Sequence, residues 1–238
     1  MNTNTIYYEN CITGIPNRIT SNSIDLVIAD PPFGINFDGK GNQYNRKSEF
    51  VVNGYNEISQ DNYFDFSKAW IEAIFPIVKE TGSAYIFSGW TNLKDILMAI
   101  DEVGFHTLNH IIWKYQFGVF TKRKFVTSHY HILFVVKNTK KYYFNKIENY
   151  PEDVWEIKRE YLPGEKKNST KLPEQLVEKL ILYSSQKNDI VLDPFMGNGT
   201  TAVSCIKLNR KYIGFEINSH AETIIKNNIE KAKMSINL

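Results

Sequence analysis

The sequence predicts a mostly parallel α/β sheet covered by helices on both faces, and three observations carry that expectation. Short apolar, β-rich runs alternate along the chain with stretches of helical hydrophobic period. Two of the runs end at an acid followed by proline, in Asp30-Pro31-Pro32-Phe33 and in Asp193-Pro194-Phe195-Met196. The second continues through Gly197-Asn198-Gly199 into Thr200-Thr201 and a helical pattern, which is the order strand, tight turn, helix. Ligands of such sheets bind at the carboxyl ends of the strands, where Asp30 and Asp193 both fall.

Taken in order, Ile24-Asp25-Leu26-Val27-Ile28-Ala29 is a central strand stopped by the double proline, which can continue neither a ladder nor a helix interior. Residues 34–62, with Gly34, Gly39, Gly41 and Gly54, read as a long mobile loop of the length that is usually functional. A helix over 66–78, a strand over 84–87, a helix over 93–103 and a strand over 108–113 follow. Lys122-Arg123-Lys124 lies in a linker before a strand over 132–136. Residues 138–171 mix lysines, acids and aromatics without a clear period and read as a small irregular insertion, a candidate target-reading surface. A helix over 173–184, a strand over 190–192, the glycine turn, a helix over 200–208 and a strand over 212–215 complete the alternation.

A chain of 238 residues holds one large α/β domain with a small appendage, so residues 1–238 are expected to form a single domain. Hydrophobic residues at 42% and charged residues at 23% exclude disordered, collagen-like and disulfide-rich classes. No apolar run reaches the roughly 20 residues that span a bilayer. The opening Met1-Asn2-Thr3-Asn4-Thr5 lacks the charged and apolar regions of a signal peptide, so a cytoplasmic location is the expectation. Cys11 and Cys205 are the only cysteines, too few for a disulfide framework or a cysteine zinc site. A net charge of +2 permits a polyanionic partner without requiring one. Lys40, Arg46 and Lys47, Lys122-Arg123-Lys124, and Lys166-Lys167 are the clusters that can touch phosphates, although the second reads equally as a solvated turn.

The glycine turn has the marks of a nucleoside site. Its glycines let backbone approach a ligand, Thr200 or Thr201 can cap the helix that starts there, and a helix amino terminus favours an anionic group. Glu216 ends the next strand, where an acid can accept hydrogen bonds from both ribose hydroxyls. No lysine follows the glycines and no third glycine completes a dinucleotide fingerprint, which disfavours a triphosphate or a dinucleotide.

At the other acid, chemistry on an amino group is the expectation. The exocyclic amine of a base is a poor nucleophile because its lone pair is delocalised into the ring. The Asp30 carboxylate and the Pro31 carbonyl can accept its two hydrogens, with Pro31 and Pro32 fixing φ. Preorganised acceptors stabilise the positive charge that develops on nitrogen, and Phe33 can stack on a base swung out of its helix. Methylation of a ring carbon would need a thiol nucleophile, usually beside proline; Cys11 stands between Asn10 and Ile12, and Cys205 falls within the helix after the turn.

These motifs, in this order, resemble the prokaryotic amino-group DNA methyltransferases of the permuted β group, in which the catalytic motif precedes the cofactor motif. The resemblance runs from Tyr7 to about Lys233 and includes Gly82-Ser83-Ala84-Tyr85-Ile86-Phe87, Ile111-Ile112-Trp113-Lys114, His129-Tyr130-His131-Ile132-Leu133-Phe134, Asp153-Val154-Trp155 and Ile213-Gly214-Phe215-Glu216. It implies a Rossmann-like methyltransferase fold with a seven-stranded sheet and one antiparallel strand, S-adenosylmethionine as donor, and Asp30 to Phe33 as the catalytic motif. An acid at Asp30 implies the N6 amino group of adenine, where serine would imply N4 of cytosine. Phe33 stands in place of the commoner tyrosine and keeps the ring without its hydroxyl. Asn10 stands where a Gly-Asp pair often contributes an acid near the cofactor adenine, and its amide oxygen can still accept a hydrogen bond. The usual His-Pro-Thr-Gln-Lys-Pro survives as Asn168-Ser169-Thr170-Lys171-Leu172-Pro173, with Thr170 the candidate cofactor contact.

The resulting expectation is a DNA adenine N6-methyltransferase acting on a flipped base in a short recognition sequence. Donor contacts are expected from Asn10, Asp30, Thr170, Asp193, Phe195, Gly197, Asn198, Gly199, Thr200, Thr201 and Glu216, without metal. N4-cytosine methylation, RNA methylation and a catalytically idle nucleic-acid-binding subunit remain open, as do a cognate restriction endonuclease and a homodimer. His129 and His131 read as packing or polar-edge residues rather than metal ligands, and Trp70, Trp90, Trp113 and Trp155 as core or loop anchors.

Overall fold

The computed structural model describes residues 1–35, 58–116, 118, 120–160 and 171–236. In chain order the regular elements are β1 (Thr5–Tyr7), α1 (Cys11–Arg18), β2 (Ile24–Ala29), β3 (Gly34–Ile35), β4 (Ile58–Ser59), α2 (Tyr63–Ile74), β5 (Val78–Ser88) and α3 (Leu93–Val103). They continue as β6 (His106–Lys114), β7 (His129–Val136), β8 (Val154–Glu156), α4 (Glu174–Ser184), β9 (Ile190–Asp193), α5 (Thr200–Lys207), β10 (Lys211–Phe215) and α6 (Glu222–Ile236).

The main sheet runs β1-β10-β9-β2-β5-β7-β6-β8, and a separate parallel pair joins β3 to β4. All neighbours in the main sheet are parallel except β7, which is antiparallel to both β5 and β6. The fold is thus the expected α/β architecture, with eight described strands in place of seven. The addition is explained by β8, which lies inside the stretch read as an irregular insertion. Its three residues extend β6 with Trp113 opposite Trp155. Trp155 Nε1 donates to the Glu152 carbonyl at 2.7 Å, and Trp113 Nε1 donates to the Ile157 carbonyl at 2.8 Å. Two indole N–H groups therefore pin a strand too short to announce itself by alternation.

Side chains alternate across the sheet as the pleat requires. Val27 and Ala29 of β2, Ala84 and Ile86 of β5, and Leu133 and Val135 of β7 face α1, α2 and α3. Leu26 and Ile28, Tyr85 and Phe87, and Phe134 and Val136 face α4, α5 and α6. Burial on both faces is what makes these strands read as continuous apolar runs. At the sheet's centre Asp25 ties three strands together: one carboxylate oxygen accepts from Lys79 Nζ at 2.6 Å and the other from the Ile190 N–H at 2.9 Å.

Most of the long loop expected over 34–62 lies outside the described residues, together with Lys40, Arg46 and Lys47; Lys166, Lys167 and Thr170 also lie outside them. The described part of the expected insertion is fastened to the sheet, through Tyr143 N–H to the Thr81 carbonyl at 2.8 Å and Asn145 N–H to the Tyr183 carbonyl at 2.7 Å. Among the described residues no helix is long and apolar enough to cross a membrane.

Candidate active site

The two acids end neighbouring strands. β2 and β9 pair in parallel with Val27 opposite Leu192, so Asp30 and Asp193 leave the sheet along one edge. Between and above them opens a cavity of about 440 Å³, a size that suits a small ligand. Its wall combines the two motifs that lie furthest apart in sequence, Asp30 to Phe33 and Asp193 to Asn198, with Thr200, Thr201 and Glu216.

On the donor side, Asp193 is buried and accepts the Phe195 N–H at 2.9 Å and the Thr201 hydroxyl at 2.6 Å. Burial pushes its carboxyl up to about 7 against the pull of those two bonds. Gly197 and Gly199 take positive φ values of 54° and 84°, the left-handed region that a Cβ would strain. Gly199 is the residue at the start of α5 and supplies no side-chain cap. This corrects the expectation that Thr200 or Thr201 caps the helix: both lie within α5, and the Thr201 hydroxyl turns inward to Asp193. Glu216 accepts the Gly197 N–H at 2.7 Å and the Asn218 N–H at 2.8 Å, which orients its carboxylate at the end of β10. Burial raises its pKa. Asn228 of α6 donates to the Asn198 carbonyl at 3.0 Å and braces the turn from behind. Phe195 borders the cavity and meets the Trp70 ring edge-on at 5.3 Å, so the floor of the turn is anchored in the core.

Asn10 borders the cavity too, but its side-chain oxygen accepts the Ile12 N–H at 2.9 Å and caps α1. One lone pair of the expected acceptor is thus used by a helix that the sequence does not reveal, and the second remains for another donor. Cys11 is the one cysteine at the cavity, and burial pushes its thiol up to about 12, which keeps it protonated and a poor nucleophile.

At the catalytic end, burial first and then the Asp193 charge push the Asp30 carboxyl up to about 7, with Arg159 acting in the opposite direction. The Phe33 ring lies 5.4 Å from Tyr130, with Tyr130 in turn 5.7 Å from Trp113 and 5.6 Å from Tyr115. Over this group sits Arg159, its guanidinium carbon 4.0 Å from the centre of Tyr115 and 5.0 Å from that of Tyr130. Backbone pairing holds it there: the Gln116 side chain accepts the Arg159 N–H at 2.8 Å and donates to the Arg159 carbonyl at 3.1 Å. The cage thus puts a cation close enough to act on the Asp30 carboxyl.

Arg159 and Tyr130 are not among the site residues expected from the sequence, and Trp113 is expected there only as a core or loop anchor. Trp113 on β6, Tyr115 just past its end and Tyr130 on β7 are the signal in the sequence for an aromatic wall; Arg159 follows a strand too short to place it. Lys171 and Leu172 also border the cavity, Lys171 held by Glu160 at 3.4 Å and Glu174 at 3.6 Å. Lys122, Arg123 and Lys124 are exposed, away from the cavity wall. His131 is buried with its Nδ1 2.7 Å from His110 Nε2, a packing arrangement. Trp70, Trp113 and Trp155 are buried anchors, whereas Trp90 is 72% exposed, a departure from the expected role.

The family model described as DNA methylase, of the N6/N4 type, matches residues 24–227. The chain belongs to this DNA methylase family. Among DNA methylases, the Type II methyltransferase M.HpaI of Haemophilus parainfluenzae is 31% identical, covering 93% of this chain and 73% of that protein. The DNA adenine methyltransferase YhdJ of Escherichia coli (strain K12) is 32% identical over 85% of this chain and 74% of its own. The crystal structure of the M1.HpyAVI–SAM complex matches with a TM-score of 0.74 at 26% identity, covering 94% of this chain and 98% of that one. This DNA methylase accordingly uses S-adenosylmethionine. The residues fit such a donor: the carboxylate of Glu216 stands at a strand end, and it borders with Gly197, Asn198, Thr200 and Thr201 the cavity that Asp30 also borders, whereas Gly199 lies off the cavity wall and packs toward Ile225 of α6.

Proposed function

We propose that this DNA methylase acts on the N6 amino group of adenine in a short recognition sequence, on a base turned out of the duplex. The observation that carries the reading is the meeting of Asp30-Pro31-Pro32-Phe33 with the Asp193 to Thr201 turn and Glu216 around one cavity. Asp30 and the Pro31 carbonyl accept the two amino hydrogens, which localises the nitrogen lone pair and stabilises positive charge as it develops. Phe33, backed by Tyr130, provides the flat surface on which the base stacks. When bound, S-adenosylmethionine supplies an electrophilic methyl group. Glu216 holds its ribose hydroxyls, and the glycine turn, Asp193, Phe195 and Thr200 surround the rest; a partner role for Thr170 is kept from the motif alone.

An acid at position 30 supports adenine, and so does the likeness to a DNA adenine methyltransferase. The likeness to a Type II methyltransferase supports a place in restriction-modification, with a cognate endonuclease as partner. Residues 138–171 are the proposed target-reading insertion, on a single domain. The test is nucleoside mass spectrometry of DNA and of RNA incubated with the protein and donor, beside Asp30→Ala. Methylated adenine from DNA that vanishes in the variant supports the reading. Methylcytosine, methylated RNA or an unaffected variant contradicts it.

A further inference from the structure

The hairpin joining β6 to β7 leaves the sheet at the edge that carries Asp30. β5 and β6 both run antiparallel to β7, so their carboxyl ends point the same way as that of β2, which is parallel to β5. The hairpin's base is closed by the Tyr115 N–H donating to the Ser128 carbonyl at 3.0 Å. Tyr130, just beyond it, borders the cavity and touches Phe33. The hairpin thus rises from the rim of the base-stacking end.

At its tip the Thr121 hydroxyl donates to the Lys124 carbonyl, which turns the chain and gathers Lys122, Arg123 and Lys124 at the apex. Phe120 and Phe125 flank that turn and are 79% and 98% exposed. A phenyl ring left in water forgoes the free energy of burial, and here it does so beside three cations. A duplex offers the matching pair of surfaces, phosphates for the cations and base faces for the ring.

We propose that Phe125 is a wedge that enters the base stack as the target base leaves it, while Lys122, Arg123 and Lys124 hold the flanking phosphates. The inference rests on the reading of the protein as a DNA methyltransferase that extrudes its target. Extrusion costs unpairing and unstacking, and a ring filling the gap offsets part of that cost. A mispaired target has less to lose, so the wedge matters less there.

The test compares wild type, Phe125→Ala and Phe125→Trp in single-turnover methylation of oligonucleotide duplexes carrying the recognition sequence, with the target base either paired or mispaired. Phe125→Ala is expected to slow transfer about tenfold on the paired duplex and to approach the wild-type rate on the mispaired one, with Phe125→Trp close to wild type on both. Equal rates for Phe125→Ala and wild type on the paired duplex, or an equal loss on both duplexes, would overturn the wedge while leaving methylation intact. A wild-type protein inactive on every duplex would overturn the wedge and the underlying reading together.

Discussion

Thr201, in the first turn of α5, donates its hydroxyl to the Asp193 carboxylate at the end of β9 at 2.6 Å, and this bond fastens the glycine turn to the sheet. Both groups are buried, so losing the donor leaves a carboxylate short of a partner in a dry place.

Thr201→Val is therefore expected to destabilise the fold by about 1–3 kcal/mol and to weaken donor binding, because the turn that must meet the donor loses its tether. Urea denaturation and calorimetric titration with S-adenosylmethionine measure the two effects. Unchanged stability and affinity would show that the turn is held elsewhere.

The raised pKa of Asp30 sets a pH dependence. Ionised Asp30 is the better acceptor, so the rate at saturating donor should climb with pH through about 7 and then level. Loss of water around the carboxyl is the largest cause of the rise, followed by the Asp193 charge, which also raises the pKa, and Arg159, which lowers it. Arg159→Gln should move the rise to higher pH, since a cation that favours the charged form is gone. Stability runs the other way. A carboxyl whose folded pKa exceeds its unfolded value contributes most below the ordinary carboxylate range, and that contribution fades as pH rises toward about 7. Thermal melts from pH 5 to pH 8 should accordingly decline less in Asp30→Asn than in wild type, and an equal decline would contradict an Asp30 that ionises in this range.

Asp25 lies on the same strand as Asp30 and has a different task. Its bonds to Lys79 and the Ile190 N–H join β5 and β9 to β2, so Asp25→Ala should cost about 1–3 kcal/mol of stability. Below the melting transition the variant's single-turnover rate should stay near wild type. A large loss of rate in folded protein would mean that β2 registers Asp30 through this contact.

The central strands are legible as continuous apolar runs because both of their faces are buried, and the helices over 66–78, 93–103, 173–184 and 200–208 because residues buried on one face repeat at the helical period. Leu93–Val103 came out at its observed bounds. β1 and β8 have three residues each, too few for a period. α1 carries Gly14 and Pro16 inside its span, both poor helix formers, and it is held by the Asn10 cap and by burial of Cys11 and Ile15. α6 buries only Ile225, Ile229 and Ala232 among polar residues. The acids and glycines of the site were legible for another reason: each ends a strand or makes a turn, where residue type is dictated locally. Arg159 and its aromatic cage were not, since they meet through β6, β7 and β8, which are brought together only by folding.

Lys122, Arg123 and Lys124 carry a prediction about salt. If each neutralises one phosphate, replacing all three with alanine should lower the slope of log affinity against log salt by up to about 2.7. Binding to unrelated and cognate duplexes should weaken alike, since phosphate contacts read no sequence. An unchanged slope would assign the cations to solvent.

The central claim is tested most directly by sequencing, at base resolution, a plasmid grown in a methylation-free host that expresses this protein. N6-methyladenine confined to one short motif, and absent with Asp30→Ala, is the expected result. Methylation at N4 of cytosine, or an unmodified plasmid from a host that makes folded protein, would contradict it.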